Sequence, residues 1–172
     1  MIKILIESAI KKFGQKYNYD ASYLRHIADT STSLIFKFNK FVKLSQYRKV
    51  TPVEIFYLAK IGALRVADCG PCLQLNVDFA LEKNVSAEVL NDALKNPTSL
   101  SADHKLAYDF GFAMALNSDD HTDISEKFEK RFGKAVLVET SMAVATTLVY
   151  PILKRGLRYS KACHLVDVKV KS

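Results

Sequence analysis

Cys69-Gly70-Pro71-Cys72 is the segment of this 172-residue chain whose residue types and spacing point most directly at chemistry. Cysteines three positions apart share a face when the segment is helical, because positions three and four apart are neighbours on a helix surface. A helix start presents unpaired backbone N–H groups and a partial positive charge, and both lower the pKa of a thiol there. One thiol then attacks a peroxide or a substrate disulfide, and the other resolves the intermediate as an internal disulfide. Three plainer readings compete. Half a zinc site is one, but the chain has no second C-x-x-C or C-x-x-H, and closed structural sites need four ligands. Two buried cysteines without chemistry is another. The third is a thioredoxin active site, which carries the same four residues after a buried strand, usually with Trp. Here the preceding Ile55–Ala67 reads as helix and the chain has no Trp.

The elements that must position this motif are helices. No period-two alternation lasts long enough for a sheet, and Gly and Pro number only six and four. Residues 2–13 carry one apolar stripe and meet Gly14 as a stop. Asp20 can cap a long helix reaching about Tyr47. Thr51-Pro52-Val53-Glu54 reads as a capping box with Pro at the first helical position, opening a helix to about Ala67. Ser86 and Ser101 open two further helices, the first ending before Asn96-Pro97. Asp123-Ile124-Ser125-Glu126 reads as a second capping box whose helix stops at Gly133, and a last helix from about Ala135 to Leu157 should kink at Pro151. The expectation is an all-α chain. It has a single helical domain over residues 1–158, made of an N-terminal helical extension (1–50) and a core (51–158), with a tail over 159–172 in which Val166, Val168 and Val170 could form a short strand.

Composition bounds the function. At 49% hydrophobic and 25% charged the chain is ordinary for a globular domain, and at this length about 70% of the unfolded surface can be buried. The net charge of +7 is unevenly placed: residues 1–50 hold ten Lys or Arg against three Asp or Glu, whereas residues 51–153 hold nine against fourteen. A nucleic-acid surface would set those basic residues on one face with aromatic platforms between them. Leu34, Phe38 and Phe41 instead recur at helical steps with Lys37, Lys40 and Lys43 between them, the pattern of an apolar face with a solvated back. No nucleic-acid partner is expected. The longest charge-free stretch of the apolar C-terminal part, Thr140–Leu153, has 14 residues, short of the roughly 20 that cross a bilayer. Ile4-Leu5-Ile6 is too brief for a signal peptide. The expected location is therefore the cytoplasm, with no membrane contact. Covering Thr140–Leu153 calls for a subunit interface, so a homo-oligomer is expected.

From about Thr51 to Leu157, roughly 107 of the 172 residues, the chain resembles the alkylhydroperoxidase D-like, carboxymuconolactone decarboxylase superfamily. The resemblance rests on Pro52-Val53-Glu54-Ile55-Phe56-Tyr57-Leu58-Ala59, on Cys69-Gly70-Pro71-Cys72-Leu73-Gln74-Leu75-Asn76, and on Ala80-Leu81-Glu82-Lys83-Asn84-Val85-Ser86-Ala87-Glu88. It implies an all-helical, oligomeric multi-helix orthogonal bundle of the alkylhydroperoxidase D-like type, in dimers, trimers or hexamers. It also implies a C-x-x-C pair that reduces hydroperoxides or passes electrons to a partner redox protein, with no bound cofactor or metal. By position Cys72 would be the peroxide-attacking thiol and Cys69 the resolving one. The helix dipole alone favours Cys69, so the order stays open. Family members usually place a His four residues after the second cysteine and a Glu twelve before the first, a pair that relays the thiol proton. This chain has Asn76 and Tyr57 there. Asn can orient a water but cannot titrate. Glu54, one turn before Tyr57, is a substitute candidate that also belongs to the capping box, and Asp68 either acts on Cys69 or caps the helix behind it.

The candidate catalytic residues are thus Cys72, Cys69, Asn76 and Glu54, in a thiol-dependent antioxidant protein that takes a small hydroperoxide or a disulfide. The alternative is a non-catalytic helical oligomer that binds a partner or ligand, motivated by the missing His and Glu. Decarboxylation of a small lactone lacks an acid and base to perform it. Glu139, inside an apolar stretch, needs a partner: the cysteine site, or a basic residue across an interface. Cys163-His164 would be a reactive thiol beside a base, but adjacent residues do not face one another. Asn117–His121 reads as a polar loop.

Overall fold

The computed structural model describes residues 2–116, 121–160 and 168–170. Within them the chain is all-helical: α1 (Ile2–Tyr17), α2 (Ser22–Thr30), α3 (Thr32–Ser45), α4 (Val53–Val66), α5 (Gly70–Glu82), α6 (Ala87–Lys95), α7 (Ala102–Leu116), α8 (His121–Phe132) and α9 (Lys134–Gly156). Asn117–Asp120 and Cys163-His164 lie outside the described residues, as does Val166. Residues 168–170 are not in a strand.

Local chemistry explains most boundaries and revises four. Ser86 accepts a bond from the Glu88 amide (3.2 Å) at the start of α6, and Gly133 (φ 88°) separates α8 from α9. Gly14 does not stop α1. Its carbonyl accepts the Tyr19 N–H at 2.9 Å, and Asn18 at φ 47° supplies the left-handed residue that ends the helix. The helix expected over Asp20–Tyr47 is two. Ser31 is extended (φ −156°, ψ 111°) and its side chain accepts from the Leu34 amide to cap α3. At α4 the N-cap position is Pro52 with no side-chain cap, so Thr51 does not close a capping box. Asp123 lies inside the first turn of α8 rather than before it.

α4 forms the axis of the core. Ten consecutive residues, Ile55 to Leu64, are buried. α7 lies close along it because Gly62 and Gly111 leave room: a Cβ on Gly111 would strike the Ala59 carbonyl, and one on Gly62 the Tyr108 carbonyl. Phe110 stacks on Phe128 of α8 with ring centroids 4.5 Å apart. α9 crosses the same core through Ala143 and Val144. By length and composition α9 is long and apolar enough to cross a membrane, which the 14-residue charge-free count understates because the helix continues past Glu139 and Lys154. Both charged side chains are buried against protein here.

Glu139 fixes the segment that leads into α4. Its carboxylate accepts the amides of Lys49, of Val50 (3.1 Å) and of Thr51 (2.7 Å), and Arg48 Nη1 donates to the Thr51 carbonyl at 2.8 Å. Neither the cysteine site nor a basic side chain is its partner; three backbone N–H groups are. Burial pushes this carboxyl up, but the hydrogen bonds from Thr51, Lys49 and Val50 outweigh it and hold the group below its ordinary value.

A second apolar cluster joins the N-terminal helices to the core. Ile10, Tyr19, Tyr23, Ile27 and Ala28 pack with Leu75 of α5 and Leu153 of α9. Tyr17 of α1 packs edge-on against Phe79 (5.1 Å), and Lys16 pairs with Glu82 at 2.7 Å. From α3, Ser45 Oγ bonds Tyr150 Oη at 2.9 Å.

Two expected outcomes follow from these contacts. Gly111→Ala should lower stability by about 2–4 kcal/mol in urea unfolding, because backbone rather than a flexible side chain must move. Glu139→Gln turns an N–H toward backbone N–H groups and should cost about 2–4 kcal/mol at pH 7. Since the folded carboxyl is held low, its stabilisation is full above the unfolded carboxylate pKa and fades as pH falls through the folded one. The gap between wild type and Glu139→Gln should therefore narrow on acidification.

Candidate functional site

The turn between α4 and α5 places the two sulfurs. α4 ends at Val66 with Ala67 as C-cap, and the Ala67 carbonyl accepts Arg155 Nη1 of α9 at 3.1 Å. Asp68 then adopts the left-handed region (φ 48°), reversing the chain so that α5 begins at once. Cys69 is the N-cap of α5. Pro71 falls in the first turn, where a missing N–H costs nothing, and Cys72 follows within that turn. The two cysteines form a disulfide with Cα atoms 5.3 Å apart. Cys69 and Cys72 are only 3% and 4% exposed, so reagents can reach them only through an internal space.

Cys72 has such a space. It lines a cavity of about 670 Å³ walled by α1 and α3 on one side and floored by α4, α5 and α9. The walls are apolar, with Ile6, Ile10 and Phe13 from α1 and Ile35, Phe38 and Val42 from α3. The size suits a small organic ligand. Cys69 does not line the cavity. Asn76, one turn beyond Cys72, does; it is buried, and its Nδ2 donates to the Cys72 carbonyl at 3.1 Å. A carbonyl can only accept, which fixes Oδ1 as the free end of the amide. That Oδ1 is buried without a partner among the described residues, as is the Thr147 hydroxyl of α9, and both residues line the cavity. Glu54, on the first turn of α4, does not. The structure thus groups Cys72, Cys69 and Asn76 and leaves Glu54 apart.

Lys60 is the functional candidate that the sequence reading passed over. It lies one turn after Tyr57 on α4, is 1% exposed and lines the same cavity. Its Nζ donates to the Ser45 carbonyl at 3.3 Å and lies 4.9 Å from the Phe56 ring centroid and 5.6 Å from that of Tyr57. No carboxylate pairs with it among the described residues. Burial therefore pushes the ammonium down to about 7. Burial likewise pushes the Tyr57 phenol up to about 12, leaving it a neutral donor. A signal existed in the sequence: Lys60 is the lone charge in Ile55–Leu64. Among the described residues no three His, Cys, Asp or Glu converge as metal ligands.

Comparison of the chain with protein-family models, curated proteins and solved structures finds no match.

The depressed Lys60 gives the disulfide form a distinct pH signature. The unfolded chain holds the lysine proton up to about pH 10 whereas the folded one releases it near 7, so the unfolded state binds more protons between them. Stability contributed by this group should rise with pH over that window, by up to about 1.4 kcal/mol per pH unit. Lys60→Met should remove the slope and be the more stable protein at pH 6, as read by chemical unfolding from pH 6 to 9.

Proposed function

We propose that this chain is a thiol-dependent antioxidant protein of the alkylhydroperoxidase D-like, carboxymuconolactone decarboxylase type, reducing hydroperoxides or disulfides through a Cys69/Cys72 dithiol–disulfide cycle. The observation that carries the proposal is the Cys69–Cys72 disulfide at the start of α5 with Cys72 in the floor of an apolar cavity. A thiolate at Cys72 would gain from the positive end of α5. Attack by this sulfur on the distal oxygen of a hydroperoxide gives a sulfenic acid and an alcohol. Cys69, already within bonding reach, then condenses with the sulfenic acid to give the disulfide and water. An external dithiol, free or on a partner redox protein, restores the pair by exchange.

The position of Cys72 in the cavity supports it as the attacking thiol, against the helix-dipole preference for Cys69. Exposed Val138, Met142 and Ile152 along α9 support assembly into a homo-oligomer, a dimer, trimer or hexamer. The competing proposal, a ligand-binding module with silent cysteines, draws on the same cavity. It is separated by whether sulfur chemistry occurs at all.

Reduced protein treated with cumene hydroperoxide should lose two thiols, and the tryptic peptide spanning residues 66–83 should carry an internal disulfide. Cys69→Ser should stop at a dimedone-reactive sulfenic acid on Cys72, and Cys72→Ser should not react at that peptide. Intact thiols in the wild type would leave the binding module as the better account. A reactive Cys72→Ser with an inert Cys69→Ser would reverse the order of the two sulfurs.

A further inference from the structure

The cavity floor holds more polar chemistry than the dithiol needs for its own packing. An amine buried to 1% exposure with a single acceptor at 3.3 Å shares the lining of this space with Cys72, Asn76 and Thr147. A buried amine with one neutral acceptor is under-satisfied, and in the wall of a cavity such a group can serve a ligand there. We propose that Lys60 is the acid–base group of this site, taking the proton from Cys72 and returning it to the leaving oxygen of a hydroperoxide. The inference rests on the dithiol cycle proposed above and assigns the proton path that cycle requires.

The step balances as follows. Neutral Lys60 accepts the Cys72 thiol proton, giving thiolate and ammonium. The thiolate sulfur attacks the distal oxygen, the O–O bond breaks, and the alkoxide takes the proton from Lys60 and leaves as alcohol. Cys72 is left as sulfenic acid. Attack by Cys69 forms the S–S bond, and the departing hydroxide takes the Cys69 proton to leave as water. The sulfurs together lose two electrons and the peroxide gains two.

The surroundings suit an amine in this task. Lys60 lies near Tyr57 on its own helix and shares the cavity lining with titratable Cys72 on α5 and Tyr150 on α9. Across the cavity stand Tyr17, Tyr19 and Tyr23, and the end of α5 brings Glu82 and Lys83. Glu82 is the one carboxylate lining the cavity among the described residues, and it is paired with Lys16 and bonded by Tyr17. Of the other elements packed on α4, α7 turns Tyr108 toward it, α6 brings Leu90, Ala93 and Leu94 into the same core, and Glu139 of α9 is committed to backbone amides. Nothing fixes the lysine permanently as a cation, so it is free to cycle. The value of about 7 belongs to the disulfide form, and a Cys72 thiolate in the same cavity raises it, as the ion pair in the cycle requires.

The test follows the 66–83 disulfide by peptide mass after mixing reduced protein with cumene hydroperoxide, from pH 5.5 to 9. In the wild type the rate should rise and then fall with pH, the acid limb reporting the Cys72 thiol and the alkaline limb loss of the Lys60 proton. Lys60→Met should form the disulfide about 100-fold more slowly, the low end of what a positioned acid–base group supplies, and its rate should climb without an alkaline limb. Lys60→Gln serves as the second variant, and melting curves show whether each is folded. If folded Lys60→Met and Lys60→Gln keep the wild-type rate and profile, the assignment of Lys60 is overturned while the dithiol cycle stands. If the wild type itself never forms the disulfide, the cycle and this inference fall together.

Discussion

A helix enclosed on every side has no solvent face on which to leave a charge, and α4 is enclosed over ten residues with a lysine among them. Close approach of α7 at Gly62 and Gly111 seals one flank, and α5 and α9 take others. The α1–α3 helices stand off far enough to leave a cavity, and Lys60 ends there. Moving an ammonium from water into such a place costs several kcal/mol unless it is paired or neutralised. Here the lysine is offered a backbone carbonyl and two ring faces, and its resolution is to give up the proton easily.

The same enclosure sets the terms for sulfur. Cys69 and Cys72 sit at the start of α5, where a thiolate is favoured by the helix end, yet both are almost wholly covered. Only Cys72 opens into the cavity. In an apolar space, one potential anion and one potential cation favour the pair over either charge alone. It also restricts entry to molecules that tolerate an apolar passage. The placement of Cys72 and of Lys60 is thus a consequence of one packing arrangement, in which Glu139 holds the loop entering α4 and Arg155 the carbonyl leaving it.

Much of this was legible in the sequence, and the failures are physical. The cysteine tetrad at a helix start, the Ser86 cap and the Gly133 break are local signals, and local signals are what a chain displays. Ser31-Thr32-Ser33 was passed over as helix interior, although hydroxyl side chains compete for backbone groups and readily end or begin a helix. The cavity could not be foreseen, because its walls come from residues some thirty to seventy positions before Cys72. Glu139 announced that it needed a partner without saying that the partner was backbone. Lys60 resembled any surface lysine until its helix was known to have no surface.

The coupling between Lys60 and Cys72 is read most directly by the carbon-13 resonance of the Lys60 Cε, titrated in the oxidised and in the reduced protein. The account predicts a midpoint near 7 for the disulfide form and a clearly higher one after reduction, when a thiolate stands in the same cavity. A midpoint near 10 in the oxidised protein, or the same midpoint in both states, would contradict it.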